Sequence, residues 1–527
     1  MRAVCLLLVV LIAWPAVALA AACNAGVVFH DVDADGRRDR AEPPIEGVLV
    51  SDGVALVRSN ARGEYRLPVV TGRTVFVVKP PGWRLPKRAD GLPDFWRHVV
   101  TTPGPELRFG GIPAQPVRCR DFALLPDARP AGELQALVFA DPQAKTLVDV
   151  GHYDRDIVQG VLDLGEPASL GLTLGDVVND DLSLYPATNR ATARLGTPWL
   201  HAAGNHDLDF DAARDEDSLL SFRRTFGPDT FAYEEHEASF IVMDDVIFRP
   251  GQRPAYIGGL RPDQFDFLAA YLPTLPRERL LVLAVHIPFF DEPDGRETFR
   301  RADRERLFAM LEPFPNVLLL SAHGHVQRHH FHDARGGWNG AGKLHEYNVG
   351  ANCGAYWSGV KDSRGIPDAT MSDGTPNGWA VLNAQRDGRY RLRWRNAGPE
   401  PEQAMALHAP KVLRRGAYPA FGVFANVFMA LPDALVEFRV ADGPWQPMQR
   451  VPGPDPRLMA ENRRDDEAEA LRGFDRSPEA DVSTHLWRGT LPTDLPAGEH
   501  LIQVRTTDPW RGELTAQTRY RLDEAAP

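Results

Sequence analysis

The sequence predicts a multidomain fold of mixed α+β and α/β class, with a central α/β core set between two β-sandwich domains. Three observations predict it. At 527 residues the chain exceeds what one hydrophobic core usually organises. From about residue 132 to 397, short apolar runs alternate with helical patterns. Residues 24–127 and those from 398 onward instead show brief alternating segments cut by Gly, Pro and Asn turns. Two linker-like stretches, Pro126 to Gly132 and Asn396 to Glu402, fall where the patterning changes. The domains expected are therefore 1–20, 21–127, 132–397 and 398–527.

Residues 1–20 read as a signal peptide. Arg2 precedes an apolar stretch that ends in Ala18-Leu19-Ala20, a small-x-small cleavage pattern. Pro15 interrupts the run and no basic cluster follows, which disfavours a membrane anchor. The expectation is export to the periplasm or the extracellular space, with no transmembrane segment after signal removal. Lipid anchoring at Cys23 is the weaker reading, because Ala20-Ala21-Ala22 lacks the leucine of a lipobox. Cys23 and Cys119 bracket the N-terminal domain, so a disulfide between them suits an oxidising compartment. Cys353 reads as a buried packing thiol.

Within residues 21–127, alternating segments at Val27–Phe29, Val48–Ser51, Ala55–Ser59, Glu64–Val69, Thr74–Lys79 and Arg118–Leu124 predict a small β-sandwich. It contains Asp31-x-Asp33-x-Asp35-Gly36-x5-Glu42, the spacing of a twelve-residue calcium loop. Oxygen donors stand at alternate positions, Asp39 included, with a glycine at the sharp turn and a terminal Glu.

The core carries the chemistry. Apolar runs end at Asp141-Pro142-Gln143, Gly175-Asp176, Gly204-Asn205-His206-Asp207, Asp244-Asp245, His286 and His323-Gly324-His325. In α/β sheets the ligand site lies off the carboxyl ends of the strands. Buried polar groups gathered there need partners, and a metal site supplies them. Helices are predicted over Gln143–Asp163, Asp211–Phe226, Arg261–Leu275 and Glu297–Leu311. Carboxylate, imidazole and amide donors together favour Mn²⁺, Fe or Zn²⁺ over a lone Mg²⁺. Beyond the core, Gly422–Met429, Leu435–Val440, Thr484–Thr490 and Glu499–Thr506 read as strands, and Arg463–Glu469 as a solvated charge run.

This ordered series resembles the calcineurin-like metallophosphoesterases. It stands here as Asp141-x-Gln143, Gly175-Asp176, Gly204-Asn205-His206-Asp207, His286 and Ala322-His323-x-His325. Gly354-Ala355-Tyr356-Trp357 and Asp373-Gly374-Thr375-Pro376-Asn377-Gly378 are similar to the C-terminal region of that family's exported bacterial branch. The resemblance implies a four-layer αββα sandwich for the core and a dinuclear centre. One metal would take Asp141, Gln143, Asp176 and His325; the other Asp176, Asn205, His286 and His323. It further implies attack on a phosphate monoester or diester by a hydroxide bridging the metals. His206 would be the general acid and Asp207 would orient its ring.

Two departures stand out: Gln143 occupies a position usually held by histidine, and Ala322 one usually held by glycine. The substrate expected is a small phosphate ester, a lipid or a glycan. The charge of −12 forms no basic stripe, which argues against a nucleic-acid partner. A calcium-stabilised extracellular binding protein with a degenerate core is the alternative, and Gln143 is its main support. A Ser or Cys nucleophile finds no Gly-x-Ser-x-Gly elbow. His329, His330 and His332 read as exposed or satisfied. Asn179 and Asp180 read as pocket-lining or capping residues, and Tyr356 and Trp357 as cleft wall or interdomain packing.

Overall fold

A computed structural model describes residues 24–116, 118–129, 132–291, 295–418 and 421–525. The predicted signal peptide and Cys23 lie outside them. No helix among the described residues is long and apolar enough to cross a membrane.

Two sheets form the centre. The first runs Trp199–Ala202, Leu170–Leu174, Glu133–Phe139, Gly378–Gln385, Tyr390–Asn396. Its first three strands are parallel and its last two antiparallel. The second runs Phe231–Glu234, Ala238–Val242, Leu280–Ala284, Val317–Ser321, Leu344–Asn348, Arg328–His332, with four parallel strands between antiparallel edges. Every residue of Leu170–Leu174, Ala238–Val242 and Leu280–Ala284 is buried, which is why these strands read as continuous apolar runs rather than alternations.

Each sheet carries its own helices. The helical stretch from Leu147 to Leu164 packs on the first sheet, with Tyr153 edge-on to Phe139 at 6.1 Å. Helix Arg301–Leu311 packs on the second, with Phe308 4.9 Å from the His332 ring. The first of these begins four residues later than predicted. Thr146 accepts the amides of Val148 and Asp149 while Asp149 reaches back, a capping box that fixes the start. The helix expected over Asp211–Phe226 is shortened to Leu220–Phe226. Asp209 binds the Ser218 carbonyl and the Ser221 amide, folding the preceding residues into turns.

The N-terminal region forms two four-stranded sheets. One runs Glu64–Arg66, Ala25–His30, Phe122–Pro126, Trp83–Arg84; the other Leu56–Arg58, Leu49–Ser51, Arg73–Val77, Trp96–Val99. Most of its apolar residues join the central core in one cluster, and Val27, Phe29 and Ala123 form a small cluster of their own. Phe76 meets Phe267 and Phe95 meets Phe231, and a buried Lys79–Glu235 ion pair at 2.8 Å bridges the two regions. Cys119 is disulfide-bonded.

The C-terminal region forms sheets of four and five strands around a separate core that includes Val423, Val436, Ile502 and Leu522. Its longest strand, Gly512–Asp523, lies beyond the strands predicted above; Leu514, Ala516, Tyr520 and Leu522 alternate toward the core between exposed polar residues. The charge run at Arg463–Glu469 lies largely on the end of a helix, Pro456–Asp466, capped by Asp455.

Candidate metal centre

The predicted donors converge at the carboxyl ends of the parallel strands. Two glycines make the approach possible. A Cβ on Gly175 would lie 2.5 Å from His286 Nδ1, and one on Gly204 would lie 2.2 Å from Asp176 Oδ1. Neither position tolerates a side chain. Asp141, Gln143, Asp176, His323 and His325 all hold positive φ, between 40° and 68°. Such backbone costs a non-glycine residue roughly 1–3 kcal/mol and persists where surrounding structure imposes it, commonly at active sites. Here it turns five donors off their strands into one space.

Asp176 is the hub. Its Oδ1 accepts the His206 amide at 2.8 Å and its Oδ2 lies 3.3 Å from His286 Nε2. His286 donates Nδ1–H to the Leu174 carbonyl at 2.8 Å, which directs Nε2 toward Asn205 Oδ1 at 3.0 Å and His323 Nδ1 at 3.2 Å. Asp176, His286 and His323 each offer a ligand atom within 4.8 Å of the others. Beside them His325 Nε2 lies 3.5 Å from Asp141 Oδ1, a buried oxygen with no hydrogen-bond partner. The Gln143 backbone N–H donates to the Asp176 backbone carbonyl at 2.9 Å.

The electrostatics suit a cation. Burial works against a charge on His286, but Asp176 and Asp141 carry it up to about 10. Burial and the positive charge of His286 push His323 down to about 4. Burial would raise Asp176; His286 and the neighbouring histidines bring it below the usual carboxylate range. An orphaned buried carboxylate oxygen, imidazoles with one nitrogen tied to a carbonyl, and an amide oxygen form a donor set that fits divalent transition metals.

The structure corrects one role and refines three readings. Asp207 does not orient His206. It is fully buried and accepts the amides of Val177 at 3.2 Å and Gly204 at 2.9 Å and the Tyr185 hydroxyl at 3.0 Å. Asp180 takes the expected place, its Oδ1 2.7 Å from His206 Nδ1. Burial opposes a charge on His206, yet the Asp180 hydrogen bond raises its pKa above the ordinary histidine value. Asp244 and Asp245 end a strand but act as scaffold. Asp244 pairs with Arg261, and Asp245 accepts the amides of His286 and Ile287. Trp357 is buried and donates to the Pro142 carbonyl, so it braces the Asp141 turn rather than walling a cleft. Cys353 is buried as expected, yet its Sγ lies 3.8 Å from Gln143 Oε1 and 3.7 Å from His325 Nδ1.

His329 pairs with His345, and His332 with Glu346. A cleft of about 380 Å³ opens beside His323 and His325, lined also by Lys145, Tyr356 and, from the C-terminal region, Asp475 and Arg476. Nothing in the sequence signals that last contribution. It follows from pairing of Gly359–Val360 with Gly473–Asp475.

The acidic loop lies apart from this centre. Asp31, Asp33 and Asp35 bring ligand atoms within 4.8 Å of one another, while Glu42 accepts the amides of Val32 and Asp39.

Comparison with known proteins gives two family models. One described as the N terminal of calcineurin-like phosphoesterase matches residues 32–109, and one described as the C terminal of calcineurin-like phosphoesterase matches residues 346–513. A Pseudomonas aeruginosa protein named 3',5'-cyclic adenosine monophosphate phosphodiesterase CpdA is 28% identical over 195 residues, 36% of this chain and 66% of the relative's length. Among solved structures, a dimetal phosphatase from Danio rerio aligns over 49% of this chain and 95% of its own, at 12% identity and TM-score 0.33. A purple acid phosphatase from yellow lupin seeds aligns over 68% of this chain and 66% of its own, at 10% identity and TM-score 0.35.

Proposed function

We propose that this chain, which matches the N-terminal and C-terminal models of calcineurin-like phosphoesterase, is a metal-dependent phosphoric ester hydrolase with the cluster around Asp176 as its active centre. Asp141, Gln143, Asp176 and His325 would hold one divalent ion, and Asp176, Asn205, His286 and His323 a second. The donor types favour Mn²⁺, Fe or Zn²⁺. When bound, such a pair supplies Lewis acidity to the phosphoryl oxygens and a nucleophile drawn from water.

The chain's own residues do the rest. His286 and His325 are held in one orientation by the carbonyls of Leu174 and Gly354, at 2.8 and 2.6 Å. His206 gives its proton to the leaving oxygen. Asp180 engages Nδ1 and favours the imidazolium, which leaves Nε2 as the nitrogen that transfers the proton. His206 keeps partial solvent exposure, 27% of its side chain, whereas Asp141, Gln143, Asp176, Asn205, His286 and His325 are buried; an acid must reach its substrate. One observation carries this reading. The Asp176 carboxylate touches both the His206 backbone and His286, tying the acid to the donor cluster.

The substrate on this reading is a small phosphate ester, with lipid and glycan esters included. Lys145 on the cleft wall offers positive charge to its phosphate; Arg476, also on that wall, is ion-paired with Asp466. The name of the Pseudomonas relative makes a cyclic phosphodiester worth assaying beside a monoester. Export remains part of the proposal, on the strength of residues 1–20 and the disulfide-bonded Cys119. The four-layer αββα core and the flanking β-sandwich domains, at the boundaries read from the sequence, belong to it as well.

The test is metal content together with turnover of chromogenic phosphomonoesters and phosphodiesters. Wild type should hold transition metal and turn over at least one class, and Asp176→Asn should lose both. A metal-loaded wild type inert toward both classes would overturn the reading in favour of a binding protein.

A further inference from the structure

We propose that residues 31–42 form a second, independent metal site that takes one calcium ion, with Asp31, Asp33, Asp35 and Glu42 as its carboxylates and the Arg37 carbonyl as its seventh-position donor. Four observations carry it.

Asp31 is 1% exposed, yet its Oδ1 has no hydrogen-bond partner. Its Oδ2 accepts the Gly36 amide at 2.9 Å, and the carboxylate contributes an oxygen to a cluster in which ligand atoms of Asp31, Asp33 and Asp35 lie within 4.8 Å of one another. A buried carboxylate oxygen with nothing to accept from is costly unless a cation meets it. Second, the loop's own arginines, Arg37, Arg38 and Arg40, are exposed, and none forms an ion pair with these three carboxylates among the described residues. Like charges thus gather without a counter-charge from the chain.

Third, Gly36 has φ 74° and open space where a Cβ would stand. What requires glycine there is the turn, not crowding, and it folds Asp35 back toward Asp31. Fourth, the ends of the loop are fixed before any ion arrives. Glu42 accepts the amides of Val32 at 3.0 Å and Asp39 at 2.8 Å, the His30 amide donates to the Pro43 carbonyl at 2.8 Å, and the Asp31 amide to the Leu124 carbonyl at 3.0 Å. A ring closed on two strands loses little further entropy on binding.

The donors are all oxygen, with no imidazole or thiolate, which selects a hard cation over a transition metal. A carboxylate-rich loop of twelve residues suits the larger ion with six to eight ligands better than the strict octahedron of Mg²⁺. The consequence is structural. Calcium would fasten strand Ala25–His30 to Phe122–Pro126, its neighbour in the same sheet, and so stiffen that N-terminal sheet.

The experiment uses full-length protein stripped of metal and reloaded with Mn²⁺, into which Ca²⁺ is titrated by calorimetry, with thermal unfolding in parallel. Wild type should bind one calcium per chain, in the range of about 10⁻⁴–10⁻³ M or tighter for an extracellular module. Its unfolding midpoint should rise by several degrees. The exposed pair Asp33→Asn/Asp35→Asn should lose at least tenfold in affinity and most of the midpoint shift, while ester turnover at fixed Mn²⁺ stays unchanged. No calcium uptake by wild type at about 5 mM, well above that range, overturns the proposal. Uptake that the double substitution leaves intact does so too, since it places the ion elsewhere.

Discussion

Asp180 Oδ1 lies 2.7 Å from His206 Nδ1, whereas Asp207, the next residue along the chain, turns into the core beneath the Asp176 loop. The partner of the proposed general acid thus comes from the loop after strand Leu170–Leu174, and two adjacent acidic roles separate cleanly.

Asp180→Asn should weaken catalysis without unloading metal. Asp180 raises the pKa of His206, so removing its charge lowers that pKa and the acid form is lost at a lower pH. The alkaline limb of the kcat profile should move down, with kcat near neutrality falling about 10-fold or more on esters with poor leaving groups. His206→Ala should cost about 10²–10⁴-fold on the same esters at unchanged metal content. An unmoved pH profile in Asp180→Asn would remove Asp180 from the mechanism.

Asp207→Ala should act on stability instead. Three donors would lose their acceptor in a fully buried pocket, at a cost of about 3 kcal/mol or more. Chemical denaturation reads this directly. A variant as stable as wild type but selectively impaired in proton transfer would restore the orienting role to Asp207.

Gln143→Ala should lower occupancy of one metal position. The neutral amide is a weak donor, and the Cys353 thiol at 3.8 Å already competes for its oxygen. Plasma emission analysis should find metal content falling from about two ions per chain toward one, and the Mn²⁺ concentration for half-activation should rise about 10–100-fold. Full occupancy in the variant would show that Gln143 is not a ligand.

His201 sets an acid limit on stability. Burial pushes it down to about 3, and neither ring nitrogen meets a hydrogen-bond partner among the described residues. A histidine depressed on folding contributes stability that is full above its unfolded value of 6.5 and is lost as pH falls toward the folded value, because the unfolded chain takes the proton first. Between pH 7 and 5 wild type should lose about 2 kcal/mol more than His201→Leu, at about 1.4 kcal/mol per unit below 6.5. Urea midpoints that shift equally in both proteins would contradict this.

What the sequence made legible follows from where its signals come from. Asp141, Asp176, Asn205, His286 and His323 each close a buried strand, and strand burial leaves a continuous apolar run that anyone can read. Asp180 was visible only as a pocket or capping residue, because its pairing with His206 joins two loops that are neighbours in space alone. The same holds for Arg476, delivered to the cleft by a two-strand pairing across more than a hundred residues. Trp357 was ambiguous for a different reason: an aromatic beside glycine packs or lines a cleft with equal ease, and only its bond to the Pro142 carbonyl decides.

The most direct measurement is anomalous X-ray diffraction at the Mn, Fe and Zn absorption edges from crystals of the purified protein. Two peaks flanking the Asp176 carboxylate, each within bonding distance of one of its oxygens, are the predicted result. A single ion, or a pair that Asp176 does not touch, would contradict the account.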